Sequence, residues 1–63
     1  MKIVIEFDTE NAAFEENRFD EVERILKIVN KKVMNCMDDG VGPIRTPIKD
    51  INGWRVGILE INL

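Results

Sequence analysis

Residues 48–62 read Ile-Lys-Asp-Ile-Asn-Gly-Trp-Arg-Val-Gly-Ile-Leu-Glu-Ile-Asn. Two runs rich in β-branched and aromatic residues flank Asn52-Gly53. Asn-Gly is the preferred pair for a two-residue type I′ turn, in which both positions need positive φ. The stretch therefore predicts a β-hairpin. A type I′ turn sets Ile51 against Trp54, Asp50 against Arg55 and Lys49 against Val56. Asp50 and Arg55 would then form an opposite-charge pair across the strands. Trp54, Val56 and Ile58 fall on one face with Ile51, while Leu59, Ile61 and Leu63 fall on the other with Ile48. A single helix shelters only one face of a small sheet. Either a bulge at Gly57-Ile58 resets the phase, or both faces are buried and a second chain covers one of them.

Upstream, residues 38–47 hold two Asp, two Gly and two Pro and predict a loop. Pro47 confines the start of the next strand to an edge or to an unpaired position. Residues 18–37 predict a helix. Phe19, Val22, Leu26, Val29, Val33 and Met37 recur at spacings of 3, 4, 3, 4 and 4, which lines them along one stripe. Ile25 and Cys36 lie at its margin. Asn17 is placed to cap the first turn through its side-chain oxygen, and Lys31 and Lys32 lie towards the negative end of the helix dipole. Gly40 is suited to the left-handed conformation that ends a helix. Residues 2–7 alternate as a half-buried strand, with Ile3, Ile5 and Phe7 on one face. Between strand and helix, Ala12, Ala13 and Phe14 are suited either to a helical turn or to docking the loop on the core. The expected architecture is α+β in the order β-α-β-β, a three-stranded sheet packed on one helix, as a single small domain over residues 1–63.

Composition narrows the function. The chain has 63 residues, is 44 % hydrophobic and 33 % charged, and carries a net charge of −3. It contains no His, Ser, Tyr or Gln and one Cys, Cys36, so neither a Ser/His/Asp nor a Cys/His triad can be assembled. A thiolate at Cys36 is disfavoured near a helix C-terminus, and Cys36 reads as a small core residue. No enzymatic activity, cofactor or metal is expected. The acidic groups Asp8, Glu10, Glu15 and Glu16, and Asp38-Asp39-Gly40, lack the ordered spacing of a calcium loop. Gly40-Val41-Gly42 is a weak candidate for cradling an anion. The longest apolar runs are three residues, which predicts neither a signal-peptide core nor a membrane span.

A chain this short buries only about 60 % of its unfolded surface and commonly needs a staple. One Cys and no His exclude an internal disulfide and a Cys/His zinc site, and self-association remains, so a homodimer is expected. The first 23 residues carry eight acidic groups against two basic ones. That stretch either imitates the charge of a nucleic-acid backbone or is a solvated loop followed by a helix start. Direct nucleic-acid binding is not expected, because no basic patch is present. Ile28 and Met34 stand off the main stripe. With Glu10, Glu15 and Glu16 they are the candidate partner-binding residues. Trp54 beside Arg55 is a possible anchor, although packing against Ile51 under the helix is the plainer expectation.

Asp8-Thr9-Glu10-Asn11-Ala12-Ala13-Phe14-Glu15, directly after a strand, resembles short bacteriophage and prophage proteins. These carry Asp-Thr-Asp/Glu-Asn-Ala-Ala-Phe near the N-terminus, and many continue with a helix and an Asp-Ile-Asn-Gly hairpin. Here that ending is Asp50-Ile51-Asn52-Gly53, with Val56-Gly57 beyond it. The resemblance implies a phage origin and a strand-helix-hairpin order, and it transfers no functional site. Small phage proteins without catalytic groups commonly act by occupying a host protein. The expected function is stoichiometric inhibition of a bacterial defence system in the host cytoplasm, anti-CRISPR-like, with a defence or nucleic-acid-processing protein as partner. The alternatives are a sponge for a signalling nucleotide, using Arg45, Lys49 and Arg55 across a dimer, and a virion or regulatory accessory protein.

Overall fold

The computed structural model describes residues 1–40 and 43–62. Strand β1 (Lys2–Phe7) leads through a 3-10 turn, η1 (Ala12–Phe14), into helix α1 (Arg18–Asp39); strands β2 (Ile44–Lys49) and β3 (Arg55–Asn62) follow. The sheet order is β1-β3-β2, and both pairings are antiparallel. This is the expected α+β fold, a three-stranded sheet beside one helix. The expected positions of Val41, Gly42 and Leu63 lie outside the described residues.

Register assigns the faces, because residues directly opposite one another share a face. Three rows cross the sheet: Ile3–Ile61–Ile44, Ile5–Leu59–Thr46 and Phe7–Gly57–Ile48. This is the face that α1 covers, and Ile48, Leu59 and Ile61 are buried on it together with Phe14, Ile25, Val29, Val33 and Cys36. Phe14 is fully buried, so η1 docks the loop on the core as expected. Burying such a ring contributes about 1.5–3 kcal/mol. The opposite face carries Val4–Glu60–Arg45 and Glu6–Ile58–Pro47.

Several expectations are corrected. Residues 44–47, expected as loop, are the first part of β2. Pro47 is accommodated because β2 is an edge strand and Pro47 lies opposite Ile58, whose N–H and C=O are directed to β1. The turn is not type I′, since among the described residues only Gly40 and Gly53 have positive φ. Gly53 donates its N–H to the Asp50 carbonyl at 3.0 Å, and Asp50 donates to the Trp54 carbonyl at 2.9 Å. With Gly53 at φ 87°, this is a three-residue loop of type I geometry closed by a left-handed Gly. The longer loop displaces the pairing, so Lys49, not Asp50, faces Arg55. A bulge at Val56 absorbs the offset, since Ile48 faces Gly57 while Lys49 faces Arg55. It lies one residue before the expected Gly57-Ile58.

The bulge also settles the two-faced hairpin. Leu59 and Ile61 are enclosed by the chain's own helix, each 0 % exposed, so they give no reason for a covering neighbour. Ile51 and Trp54 project from the tip, and Trp54 does not pack under the helix.

Helix α1 is rolled about its axis relative to the expected stripe. Ile25, Val29, Val33 and Cys36 are buried, while Phe19, Leu26 and Met37 are exposed. At 100° per residue the roll is roughly 50–60°. Its physical cause is Glu21, which shares the buried side with Ile25 and reaches the hairpin. Asn17 occupies the N-cap without a side-chain bond; its backbone carbonyl accepts the Glu21 N–H at 2.9 Å. The helix runs on to Asp39, so Lys31 and Lys32 are not in its last turn. Gly40 ends it at φ 63°, as expected.

Candidate functional site: a braced hairpin tip

All four backbone N–H groups of residues 51–54 have an acceptor. Ile51 donates to Glu21 Oε2 at 2.8 Å, Asn52 and Trp54 each donate to Asp50 Oδ1 at 2.9 Å, and Gly53 donates to the Asp50 carbonyl. Asp50 Oδ2 accepts from Asn11 Nδ2 at 2.6 Å. Arg24 donates through Nε to Glu21 Oε1 at 2.5 Å and through Nη2 to the Lys49 carbonyl at 3.2 Å. Asp50 and Glu21 are buried, and neither leaves an orphaned polar atom. The loop backbone is thus held by two carboxylates, one from its own turn and one from the helix.

This brace joins two distant stretches, residues 8–15 and residues 50–53. Asn11 belongs to the first and Asp50 to the second, 39 residues apart. Phe14 anchors the same loop in the core. Both stretches therefore read as parts of one joint.

On that rigid backbone Ile51 is 68 % exposed and Trp54 69 % exposed. Beside the tip lies an open cleft of about 460 Å³ between α1 and β2, lined by Ile28, Lys32, Pro47, Lys49 and Ile51 among others. Apolar side chains form its walls, with Arg24, Lys32 and Lys49 supplying positive charge. Lys49 also faces Arg55 across the strands, whereas Arg45 faces Glu60. Like charges directly opposite one another are unfavourable in a sheet. Lys49 and Arg55 thus form a like-charge pair at the base of the tip.

The Arg24 guanidinium bonded to Glu21 holds that carboxyl below the ordinary glutamate range; burial opposes this, and the Ile51 N–H reinforces it. Glu21 is an acceptor at neutral pH, not a proton donor. A carboxyl with a lowered folded pKa contributes stability above its unfolded pKa and loses it as pH falls through the folded value. Stability is expected to decline from about pH 5 downwards. Glu21→Gln should be less stable at neutral pH and should show a shallower acid decline, read as the urea midpoint against pH. Parallel curves for the two proteins would contradict the assignment.

The expected partner-binding residues divide among several places. Glu10, Glu15 and Glu16 are exposed on the β1–α1 loop, the loop that holds Asn11 against the tip. Ile28 lines the cleft and is 42 % exposed. Met34, 51 % exposed, lies about 120° around the helix from Ile28, so the two do not form one surface. Of the acidic stretch, Glu21 is buried in the brace and Glu23 pairs with Lys27 at 2.9 Å. Asp8 accepts the Glu10 N–H of its own loop at 2.9 Å. No group of three or more His, Cys, Asp or Glu among the described residues is arranged to hold a metal ion. No helix among them is long and apolar enough to cross a membrane.

The sequence reading passed over Glu21, Arg24 and Asn11, and treated Asp50 as half of a surface ion pair. A signal for Asp50 existed, because Asp at the first position of a turn commonly accepts N–H groups two residues on. Glu21 carried a weaker one. It stands four residues before Ile25 and eight before Val29, on the helical row that the core occupies. No family model, curated protein or solved structure matches the chain.

Proposed function

We propose that the chain acts by stoichiometric binding of another protein, with the hairpin tip as its anchor. The observation that carries this reading is the pairing of an exposed Trp54 and Ile51 with a loop whose every N–H is bound. A side chain presented on a pre-ordered backbone loses little entropy on binding, and Trp is among the residue types that dominate interface energies. Ile28 and the cleft extend the apolar contact. Glu10, Glu15 and Glu16 add negative charge on the loop braced against the tip.

The phage-like motifs support a host protein in the bacterial cytoplasm as the partner. A defence or nucleic-acid-processing protein, such as a CRISPR effector, fits best, because a surface that normally meets phosphates would accept those glutamates. The test is affinity capture from host lysate followed by titration of the captured protein. Trp54→Ala is expected to weaken binding by about thirtyfold, equivalent to about 2 kcal/mol. Its effect on stability should be within about 0.5 kcal/mol, as for other exposed sites. Glu10→Lys, Glu15→Lys and Glu16→Lys together are expected to slow association. Equal affinity of the wild type and Trp54→Ala would refute the anchor.

A second reading draws on Lys49 opposite Arg55. Two cations held opposite one another on neighbouring strands suit an anionic small molecule, and a signalling nucleotide is the class to try. Calorimetry with cyclic nucleotides separates the readings, since heat of binding that is lost in Lys49→Ala would favour the sponge.

A further inference from the structure

We infer that the outer edge of β1, with the flank of α1 above it, is a self-association surface that pairs two copies through antiparallel β1 strands. Asp8 donates its N–H to the Val56 carbonyl of β3 at 2.9 Å. Backbone groups alternate in direction along a strand, so Lys2, Val4 and Glu6 hydrogen-bond inward to β3. The N–H and C=O groups of Ile3, Ile5 and Phe7 face outward from an edge strand. Exposed strand edges are templates for pairing.

The occupant follows from the order Lys2-Ile3-Val4-Ile5-Glu6. Around Val4 this segment is symmetric in shape and opposite in charge. A two-fold axis at Val4 sets Ile3 against Ile5 of the second copy as hydrogen-bonded pairs, with outward groups meeting outward groups. It sets Lys2 against Glu6 of the second copy, twice, as closely spaced non-hydrogen-bonded pairs. A one-residue slip would oppose outward groups with inward ones, and a two-residue slip would place Glu6 opposite Val4. Lys2 and Glu6 are exposed, and neither forms an ion pair among the described residues. The strand edge thus selects a copy of itself.

The axis is perpendicular to the sheet, so both helices lie on the same face. On β1, Ile3 is 39 % and Ile5 44 % exposed, next to the helix-covered core. The cleft at Ile28 and Lys32 marks the β2 side of α1. The opposite flank, with Phe19 at 90 % and Leu26 at 48 % exposed, is therefore on the β1 side. In the pair these two flanks approach each other and cover the apolar surface that a single copy leaves open. This surface is separate from the hairpin tip, and Trp54→Ala is expected to dimerise as the wild type does.

Sedimentation equilibrium tests the inference. The wild type is expected to be dimeric at low-micromolar concentration. Lys2→Glu and Glu6→Lys each place like charges opposite one another twice and should each weaken the dimer by about tenfold or more. An equimolar mixture of the two variants should pair as tightly as the wild type, because each supplies the charge the other needs. The double variant Lys2→Glu/Glu6→Lys should also recover. Circular dichroism of every variant should match the wild type. A wild type that stays monomeric to millimolar concentration, single variants that dimerise undiminished, or a mixture no tighter than its components would each overturn the inference.

Discussion

Gly57→Ala is expected to unfold the chain. A methyl group built at Gly57 would lie 1.9 Å from the Glu6 carbonyl oxygen and 2.5 Å from Phe7 Cα. Both obstacles are backbone, so no rotamer change relieves them. Gly57 faces Phe7 across β1 and β3, and the missing side chain lets the two strands approach. Overpacking against side chains that can move costs about 1–3 kcal/mol, and a rigid backbone obstacle should cost more. A domain of this size has roughly 3–9 kcal/mol of stability in total. Far-UV circular dichroism and urea titration should therefore show a largely unfolded protein or a much reduced midpoint. Gly53→Ala is the contrast in the same hairpin. Nothing lies within 4 Å of its added carbon, but φ is +87°, and an L residue there loses about 1–2 kcal/mol. An unchanged midpoint for Gly57→Ala would mean that β1 does not lie against β3 as described.

Asp50→Ala is the second large effect. Its carboxylate accepts from Asn52, Trp54 and Asn11, and hydrogen bonds to charged groups contribute about 1.5–3 kcal/mol each. The losses overlap, because the three donors belong to one network, and a total near 3 kcal/mol or more is expected. Asp50→Asn should lose only about 1 kcal/mol. Its oxygen can still accept from Asn52 and Trp54, and the Asn11 amide can turn to accept from the new NH₂. Urea titration of the three proteins measures the series. Equal stability of Asp50→Ala and the wild type would remove the brace. With Asp50→Ala the tip should also loosen, so binding through Trp54 should fall even under conditions where the variant remains folded.

The helix roll shows how far the linear pattern reaches. Residues 18–37 signal a helix unambiguously, and Val22, Val29 and Val33 belong to both the expected and the observed buried side. Which neighbouring stripe faces inward is not contained in the apolar spacing. Counting Phe19, Leu26 and Met37 gives one stripe, and counting Glu21, Ile25 and Cys36 gives another. The second is realised because Glu21 receives the Ile51 N–H and the Arg24 guanidinium, which removes the penalty of burying a carboxylate. That partner is 30 residues away and belongs to a different element.

The hairpin divides in the same way. Gly53 and the alternation after it mark a turn and a strand, while loop length is decided by Asp50. Its side chain binds two loop N–H groups and selects the three-residue form, which moves Arg55 from Asp50 to Lys49 and turns Trp54 out to solvent. Of the expected contact residues, Glu10, Glu15 and Glu16 are exposed on the loop that carries Asn11 and Ile28 lines the cleft, but Trp54 and Ile51 become the centre of the tip only through this displacement.

The sequence by itself determined the α+β class, the element order and the helix end at Gly40. Each of these follows from local periodicity or from backbone freedom at one residue. Only the tertiary structure decided the roll of α1, the turn type, the bulge at Val56 and the exposure of Trp54. The roll depends on the Ile51 N–H that Glu21 accepts from 30 residues away, a bond whose energy exists only once helix and hairpin have come together. The turn, the bulge and the exposed Trp54 depend on the Asp50 carboxylate, which accepts two N–H groups of its own hairpin and is held by Asn11 from 39 residues away.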